Sequence, residues 1–382
     1  MMDLKNMDKS GWKKYRFEQI ASNISERVEP GATNLDIYVG LEHLDSDTIH
    51  IKRWGKPADV EGTKLKVYPG DLIFGKRRAY QRKAAIATFE GICSAHAMVL
   101  RANPAVIDPQ LFPFFIHSDA FMHRAVDISV GSLSPTINWS TLRTQEFLLP
   151  PKDQQARLAE LLWAGDAVVE GYGRLLEKLA GFSDQKLADY YRALPDLFEC
   201  RKMKIGDFLK LKNGSAFNPD DWKPIGIPIL RIQNLNGSSE FNYFQGDLKS
   251  KVLIEKGDLL FAWSGNRGTS FGPFIWPGTR GVLNQHIFKI EFSKAEFDKL
   301  FIFYYLKFLT KEIESKAHGS AQLVHITKGE MEKFSLNIPS FENQNQVAKK
   351  FSNLHQNKNE IESYILKTKL VQERLLNEIF TP

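Results

Sequence analysis

Gly70-Asp71-Leu72-Ile73-Phe74 returns as Gly257-Asp258-Leu259-Leu260-Phe261, 187 positions further along the chain. Other matches follow in the same order. Ser94-Ala95-His96-Ala97-Met98-Val99-Leu100 has a counterpart in Asn284-Gln285-His286-Ile287-Phe288-Lys289-Ile290. Gly131-Ser132 returns as Gly319-Ser320, each leading into an apolar stretch that ends near a proline, Pro151 or Pro339. After each proline come an acid and a glutamine, Asp153 with Gln155 and Glu342 with Gln344, and then a long helical pattern. The offset stays between 187 and 190 throughout. Chance yields one such match, not a series in order, so the chain reads as a tandem duplication of about 190 residues.

Each copy divides into a globular part and a helical tail. In the globular parts, short alternating runs such as Lys64 to Tyr68, Ala84 to Phe89 and Ile227 to Ile232 are bounded by Gly, Pro and Asn and read as strands of an irregular sheet. Pro109 to Ala125 and Lys294 to Ser315 read as helices packed on it. The expected fold class is α+β, with two globular domains of about 150 residues, each large enough to bury a core. The expected segments are 1–151 and 196–340 for the globular domains, and 152–195 and 341–382 for the tails. In the first tail, Leu158, Leu161, Gly165, Val168, Tyr172, Leu175, Leu179 and Phe182 keep three-four spacing, the seam of a coiled coil. The second tail gives Val347, Phe351, Leu354, Ile361, Ile365, Leu375 and Ile379, with Lys358, Thr368 and Gln372 at seam positions between them. Each tail could cap its own domain as a surface helix. Pairing of the tails is preferred, because two equivalent stripes need equivalent partners. A run of ~30 helical residues spans about 45 Å, so paired tails would form a rod with the globular domains held apart.

Composition bounds the function. The 382 residues are 43% hydrophobic and 25% charged, ordinary for a soluble globular protein of two or three domains. The longest apolar cluster, Leu300 to Leu309, contains Lys307 and is too short to span a bilayer. The N-terminal stretch lacks a signal-peptide core, which points to the cytoplasm and to no membrane. Two distant cysteines, Cys93 and Cys200, form neither a disulfide framework nor a zinc site. The net charge of +6 permits a polyanion partner without demanding one, so its distribution matters more than its size.

The charge is concentrated in two loops. After Asp71 no acid occurs until Glu90, and the stretch holds Lys76, Arg77, Arg78, Tyr80, Gln81, Arg82 and Lys83. After Asp258 no acid occurs until Glu291, and that stretch holds Trp263, Ser264, Asn266, Arg267, Arg280, Gln285 and His286. Arg suits the acceptor pair of guanine, Asn or Gln the edge of adenine, and all of these residue types reach phosphates. A basic loop alone is often a solvated turn; the same loop after the same Gly-Asp signal in both copies favours double-stranded DNA. Enzyme signatures fail. Gly70-x4-Gly75-Lys76 is followed by Arg77 instead of Ser or Thr, and its Leu-Ile-Phe reads as strand, so it is not a phosphate-binding loop. Pro195-Asp196 with Glu199 and Lys202 has the wrong spacing for a metal-dependent nuclease. The nine histidines show no metal-ligand spacing, and no metal is expected. Asn103-Pro104 and Asn218-Pro219 lack the second proline of an adenine-methyltransferase active site. No catalytic residue is assigned.

In this order the residues resemble the DNA-specificity subunit of Type I restriction–modification systems over nearly the whole chain. The likeness is carried by Lys204-Ile205-Gly206-Asp207 with Asn213-Gly214-Ser215-Ala216-Phe217, by Ile229-Leu230-Arg231-Ile232-Gln233-Asn234-Leu235, by Lys256 to Gly265, and by Leu283-Asn284-Gln285-His286. The first copy departs from it, with Tyr38-Val39-Gly40-Leu41-Glu42-His43-Leu44 and a loop richer in basic residues. The resemblance implies two tandem target-recognition domains, each reading one half of a gapped DNA site. It implies two long antiparallel helices, a coiled coil that fixes the gap and docks two methyltransferase subunits. Those subunits carry S-adenosylmethionine, so this chain needs no cofactor, and an endonuclease/translocase subunit completes the restricting complex. By itself the chain would not be an enzyme. Three alternatives stay open: a coiled-coil assembly adaptor without sequence-specific DNA binding, a nuclease with a degenerate metal site, and the specificity subunit of a modification-only system.

Overall fold

The computed structural model describes residues 9–266, 268–319 and 323–380. It divides into two units: Met1–Arg174 with Glu362–Pro382, and Leu175–Ile361. Each long helix therefore contributes its two halves to different units.

Unit 1 is built on two four-stranded sheets. In the first, Ala21–Ile24, Met98–Ala102, Leu72–Phe74 and Ala84–Ile86 lie side by side and antiparallel. In the second, Arg27–Val28, Lys64–Val67, Gly91–Cys93 and Tyr38–Val39 follow one another, the last pair parallel. Unit 2 repeats the first sheet strand for strand, as Lys210–Asn213, Ile287–Glu291, Leu259–Ala262 and Gly272–Ile275. Its second sheet keeps the same centre, with Leu253–Ile254 antiparallel and Ile227–Leu230 parallel to Gly281–Leu283, but adds its edge strand, Asn242–Phe244, on the opposite side. The duplication is thus present in the backbone pairing, and the fold class is α+β.

The recurring Gly-Asp has a structural cause. Gly70 and Gly257 sit at φ +91° and +86°, where a Cβ would be penalised. The following aspartate closes the turn: Tyr68 N donates to Asp71 Oδ2 at 3.0 Å, and Glu255 N to Asp258 Oδ2 at 2.8 Å. A cation then neutralises each carboxylate, Arg101 in a two-point pairing with the fully buried Asp71 and Lys289 at 2.7 Å from Asp258. The strand that follows, Leu72–Phe74 or Leu259–Ala262, is wholly buried, so the turn delivers the next loop from the core.

The repeated glutamines are also structural. Gln155 and Gln344 are each 1% exposed. Gln155 accepts from Asp108 N and donates to the carbonyls of Val106 and Pro150; Gln344 accepts from Asp298 N and donates to those of Glu296 and Pro339. Each amide ties the start of a long helix to the loop that enters the packed helices.

Three expected elements differ in extent. The helix expected over Pro109 to Ala125 is two, Phe112–His117 and Asp119–Asp127, because Ser118 leaves helical geometry and its hydroxyl caps the second from Phe121 N. The helix expected from Lys294 begins at Lys299, capped by Asp298. The strand expected to Ile232 stops at Leu230 and gives way to a helical turn, Ile232–Leu235.

The long helices, Lys152–Arg192 and Phe341–Phe380, run antiparallel. In unit 1, Gln372 Nε2 reaches the carbonyl of Leu162 at 3.4 Å and Tyr172 stacks on Tyr364 at 6.1 Å, so positions ascend on one helix as they descend on the other. Leu158, Ala159, Leu162, Leu376, Ile379 and Phe380 share the unit 1 core, with Leu375 packed against it. In unit 2, Tyr190 and Tyr191 pack on Phe351, Val347 is buried, and Leu354 packs beside them. Ile361 and Ile365 are half-buried. The first helix corrects the expected seam. Leu161, Val168 and Leu175 are 41%, 45% and 43% exposed, whereas Ala159, Leu162 and Val169 are buried. The inner stripe lies one residue later than the large side chains suggest, and Tyr172 and Leu179 are half-buried at its margin. The cause is a second neighbour: this helix also holds the globular part of unit 1, through His50 to Asp166 at 2.7 Å and Lys52 to Glu170 at 2.8 Å. Among the described residues, no helix is long and apolar enough to cross a membrane.

Candidate nucleic-acid interface

In unit 1 the basic loop joins Leu72–Phe74 to Ala84–Ile86 and is closed at its base by Gly75 N donating to Lys83 O at 2.8 Å. A second segment, residues 130–137, clasps it. Arg78 N donates to Pro135 O, Ile137 N donates to Lys76 O, and Arg77 bridges to Thr136. Within the loop, the short turn Ala79–Gln81 lies between Arg78 at φ 56° and Arg82 at φ 53°. These are the two non-glycine residues with positive φ among the described residues. Each such conformation costs about 1 kcal/mol or more, and strain of this kind collects at functional sites.

Side chains in the loop divide into two groups. Arg77 and Arg78 are exposed, with guanidinium nitrogens 3.5 and 3.3 Å from Ser134 Oγ, and Tyr80 stands out at 55% exposure. Gln81 and Lys76 are half-buried. Arg82 is tied to Asp119 at 2.6 Å and to the carbonyl of His117, and Lys83 to the carbonyl of Leu41. The last two anchor the loop to the fold.

Unit 2 builds the same clasp more regularly. Ser264–Asn266 pairs with Leu323–His325, which pairs with His318–Gly319. Ser264 lies opposite His325 and Asn266 opposite Leu323. Trp263 is fixed from several sides: its indole donates to Asn213 Oδ1 at 2.9 Å, its ring stacks on Phe288 at 5.6 Å, and it meets His286 edge-on at 5.3 Å. Burial lowers the pKa of His286, and its Nδ1 is buried without a partner. The imidazole is therefore held neutral beside the exposed Gln285. Asn266 is exposed while its backbone N–H is held by Ser270 Oγ. Arg280 is not with these residues. It pairs with Glu255, before the start of Leu259–Ala262, whereas Trp263 follows the end of that strand. Arg267 and Ser320 lie outside the described residues.

The clasping segments were not assigned a role by the sequence, although Gly131-Ser132 and Gly319-Ser320 marked them as equivalent. They add Ser134, the 92% exposed Leu133, and His325 to the two surfaces.

Two copies of one α+β unit, each running on into a long helix and each presenting a clasped loop, define an internally duplicated protein. Residues 198–370 match the family described as Type I restriction modification DNA specificity domain, a match that falls on the second copy. The chain assigned as the type I restriction enzyme MjaX specificity subunit of Methanocaldococcus jannaschii is 22% identical over 357 residues, covering 81% of this chain and 78% of that one. The solved Type I restriction-modification S subunit from M. genitalium superposes with a TM-score of 0.58 at 14% identity, covering 100% of this chain and 98% of that one. A chain from a structure addressing complex assembly and conformational transition of a type I system gives a TM-score of 0.56 at 16% identity, over 96% and 97%. Residues 198–370 thus resemble the DNA specificity domain of Type I systems, and over most of its length the chain is similar to a specificity subunit of such a system.

Proposed function

We propose that this chain is the non-catalytic subunit that reads a bipartite, gapped site on double-stranded DNA and positions partner subunits there. Residues 1–151 and 196–340 would be the target-recognition domains, and the helices of 152–195 and 341–382 the ruler between half-sites. The observation that carries the reading is the repetition of one clasped, acid-free loop at the same place in both copies. A solvated turn has no reason to keep the same clasp in a diverged copy 187 positions further along the chain. Lys76, Arg77, Arg78, Tyr80 and Gln81 would face the first half-site, with Arg82 and Lys83 fixing the loop. Trp263, Ser264, Asn266, Arg267, Gln285 and His286 would face the second. Arg280, at the far end of the strand, suits a phosphate better than a base edge.

Two methyltransferase subunits would dock on the helices and their flanks. They, and not this chain, would hold S-adenosylmethionine and methylate an adenine flipped from the stack. An endonuclease/translocase subunit would complete the assembly, in the cytoplasm.

The test is a selection from random duplexes at physiological salt on the complex recovered from its own host. A bipartite motif with a fixed gap is expected. The Arg77→Ala/Arg78→Ala variant should lose preference in one half only. Loss spread equally over both halves would make these arginines general phosphate contacts. A complex that contains methyltransferase but enriches no motif would overturn the DNA reading; a chain with neither partner nor motif would be an assembly adaptor.

A further inference from the structure

Beside the first loop, unit 1 contains a cavity of about 360 Å³ that the sequence does not announce. Arg27, Lys64 and Lys76 line it with Asn23, Ser25 and Asn138. No carboxylate does. The three cations come from separate segments: the edge strand Arg27–Val28, the strand Lys64–Val67, and the start of the basic loop. Lys64 Nζ is held over the carbonyls of Glu61 and Gly62. Arg27 and Lys76 have no ion-pair partner among the described residues. Like charges gathered without an acid repel one another, and the repulsion is relieved when an anion enters. The duplication supplies a contrast. Trp263 occupies the place of Lys76 in the second copy, and there the indole bonds Asn213 and packs on Phe288. One copy is aromatic at this position and the other cationic.

We propose that the cavity seats a backbone phosphate of the first DNA half-site, making unit 1 the phosphate-anchored copy. This rests on the DNA reading above and adds Arg27, Lys64 and Asn138 to it. A phosphate contact fixes register without reading sequence, which Arg77, Arg78 and Gln81 next to it would then do.

The experiment has two arms on the native complex. In the first, Arg27→Ala/Lys76→Ala is compared with the unaltered chain over a range of salt. The slope of log affinity against log salt should fall by about 1 to 2, and affinity should fall alike for every first-half sequence. In the second, acetylation of Lys76 in the unaltered chain is followed by peptide mass with duplex, with inorganic phosphate alone, or with neither. Protection by duplex is expected, by specific and non-specific sequences alike. Lys76 left fully reactive in the bound complex, or an unchanged salt slope, overturns the proposal while leaving half-site recognition standing. Protection by phosphate but not by duplex would make this a free-anion site and overturn it as well. Loss of preference at one base pair would make Arg27 or Lys76 a base reader, which likewise overturns it. If the unaltered chain shows no sequence preference, the DNA-specificity reading fails, and protection on non-specific duplex still decides the cavity.

Discussion

A buried polar side chain is tolerated when every one of its hydrogen bonds is met, and Gln155 and Gln344 meet three each with the same partners in both copies. Replacing Gln344 with Leu would leave the buried carbonyl of Pro339 and the half-buried Asp298 N–H and Glu296 carbonyl without their partner. At about 1–3 kcal/mol for a buried orphaned group and less for one that water reaches, the expected loss is about 2–3 kcal/mol. Chemical denaturation checks it, and a loss within about 0.5 kcal/mol would show that water replaces the amide. At this scale the sequence was legible as recurrence but not as cause. The Gly-Asp and Gln positions stood out because they repeated; that one closes a turn and the other latches a helix depends on loops far away in the chain. The loop residues show the same limit. Arg82 and Lys83 look like their neighbours Arg77 and Arg78 in the sequence, and only their tertiary partners, Asp119 and Leu41, set them apart.

A three-four pattern of apolar residues gives the period of a buried stripe but not its phase when adjacent positions are also apolar. The first long helix offers Leu161-Leu162 and Val168-Val169 side by side, and the structure buries the second of each pair. Leu162→Ala should therefore cost about 2–4 kcal/mol, as core truncations do, and Leu161→Ala less than about 1. Thermal unfolding of the two variants decides the phase, and equal losses would return Leu161 to the seam. The second long helix is unambiguous only in its first half, where Val347, Phe351 and Leu354 stand apart; near its end Leu375-Leu376 and Ile379-Phe380 are again adjacent, and Leu376 is buried more deeply than Leu375. Helix interruptions were legible only in part. Ser118 is a good cap by type, but it ends one helix and starts another here because Phe115 and Phe121 both turn into the same core.

At the scale of the molecule the repeat was the most legible feature, because a duplication writes itself into order and spacing, which survive divergence better than residue identity. The residues proposed to contact bases were the least legible, since their grouping depends on which loops the fold brings together. If the helices act as a ruler, seven residues added to both should lengthen the gap in the selected motif by about three base pairs, from a rise of about 10 Å. Strong binding at an unchanged gap would end that idea. A different consequence follows from how the chain is divided. Unit 2 is one continuous stretch, whereas the core of unit 1 includes Leu376, Ile379 and Phe380, with Phe115 packed directly on Phe380. On the ribosome, the copy begun first is therefore finished last. It waits with part of its core uncovered while its later twin is made, so the order of synthesis and the order of completion run opposite to each other.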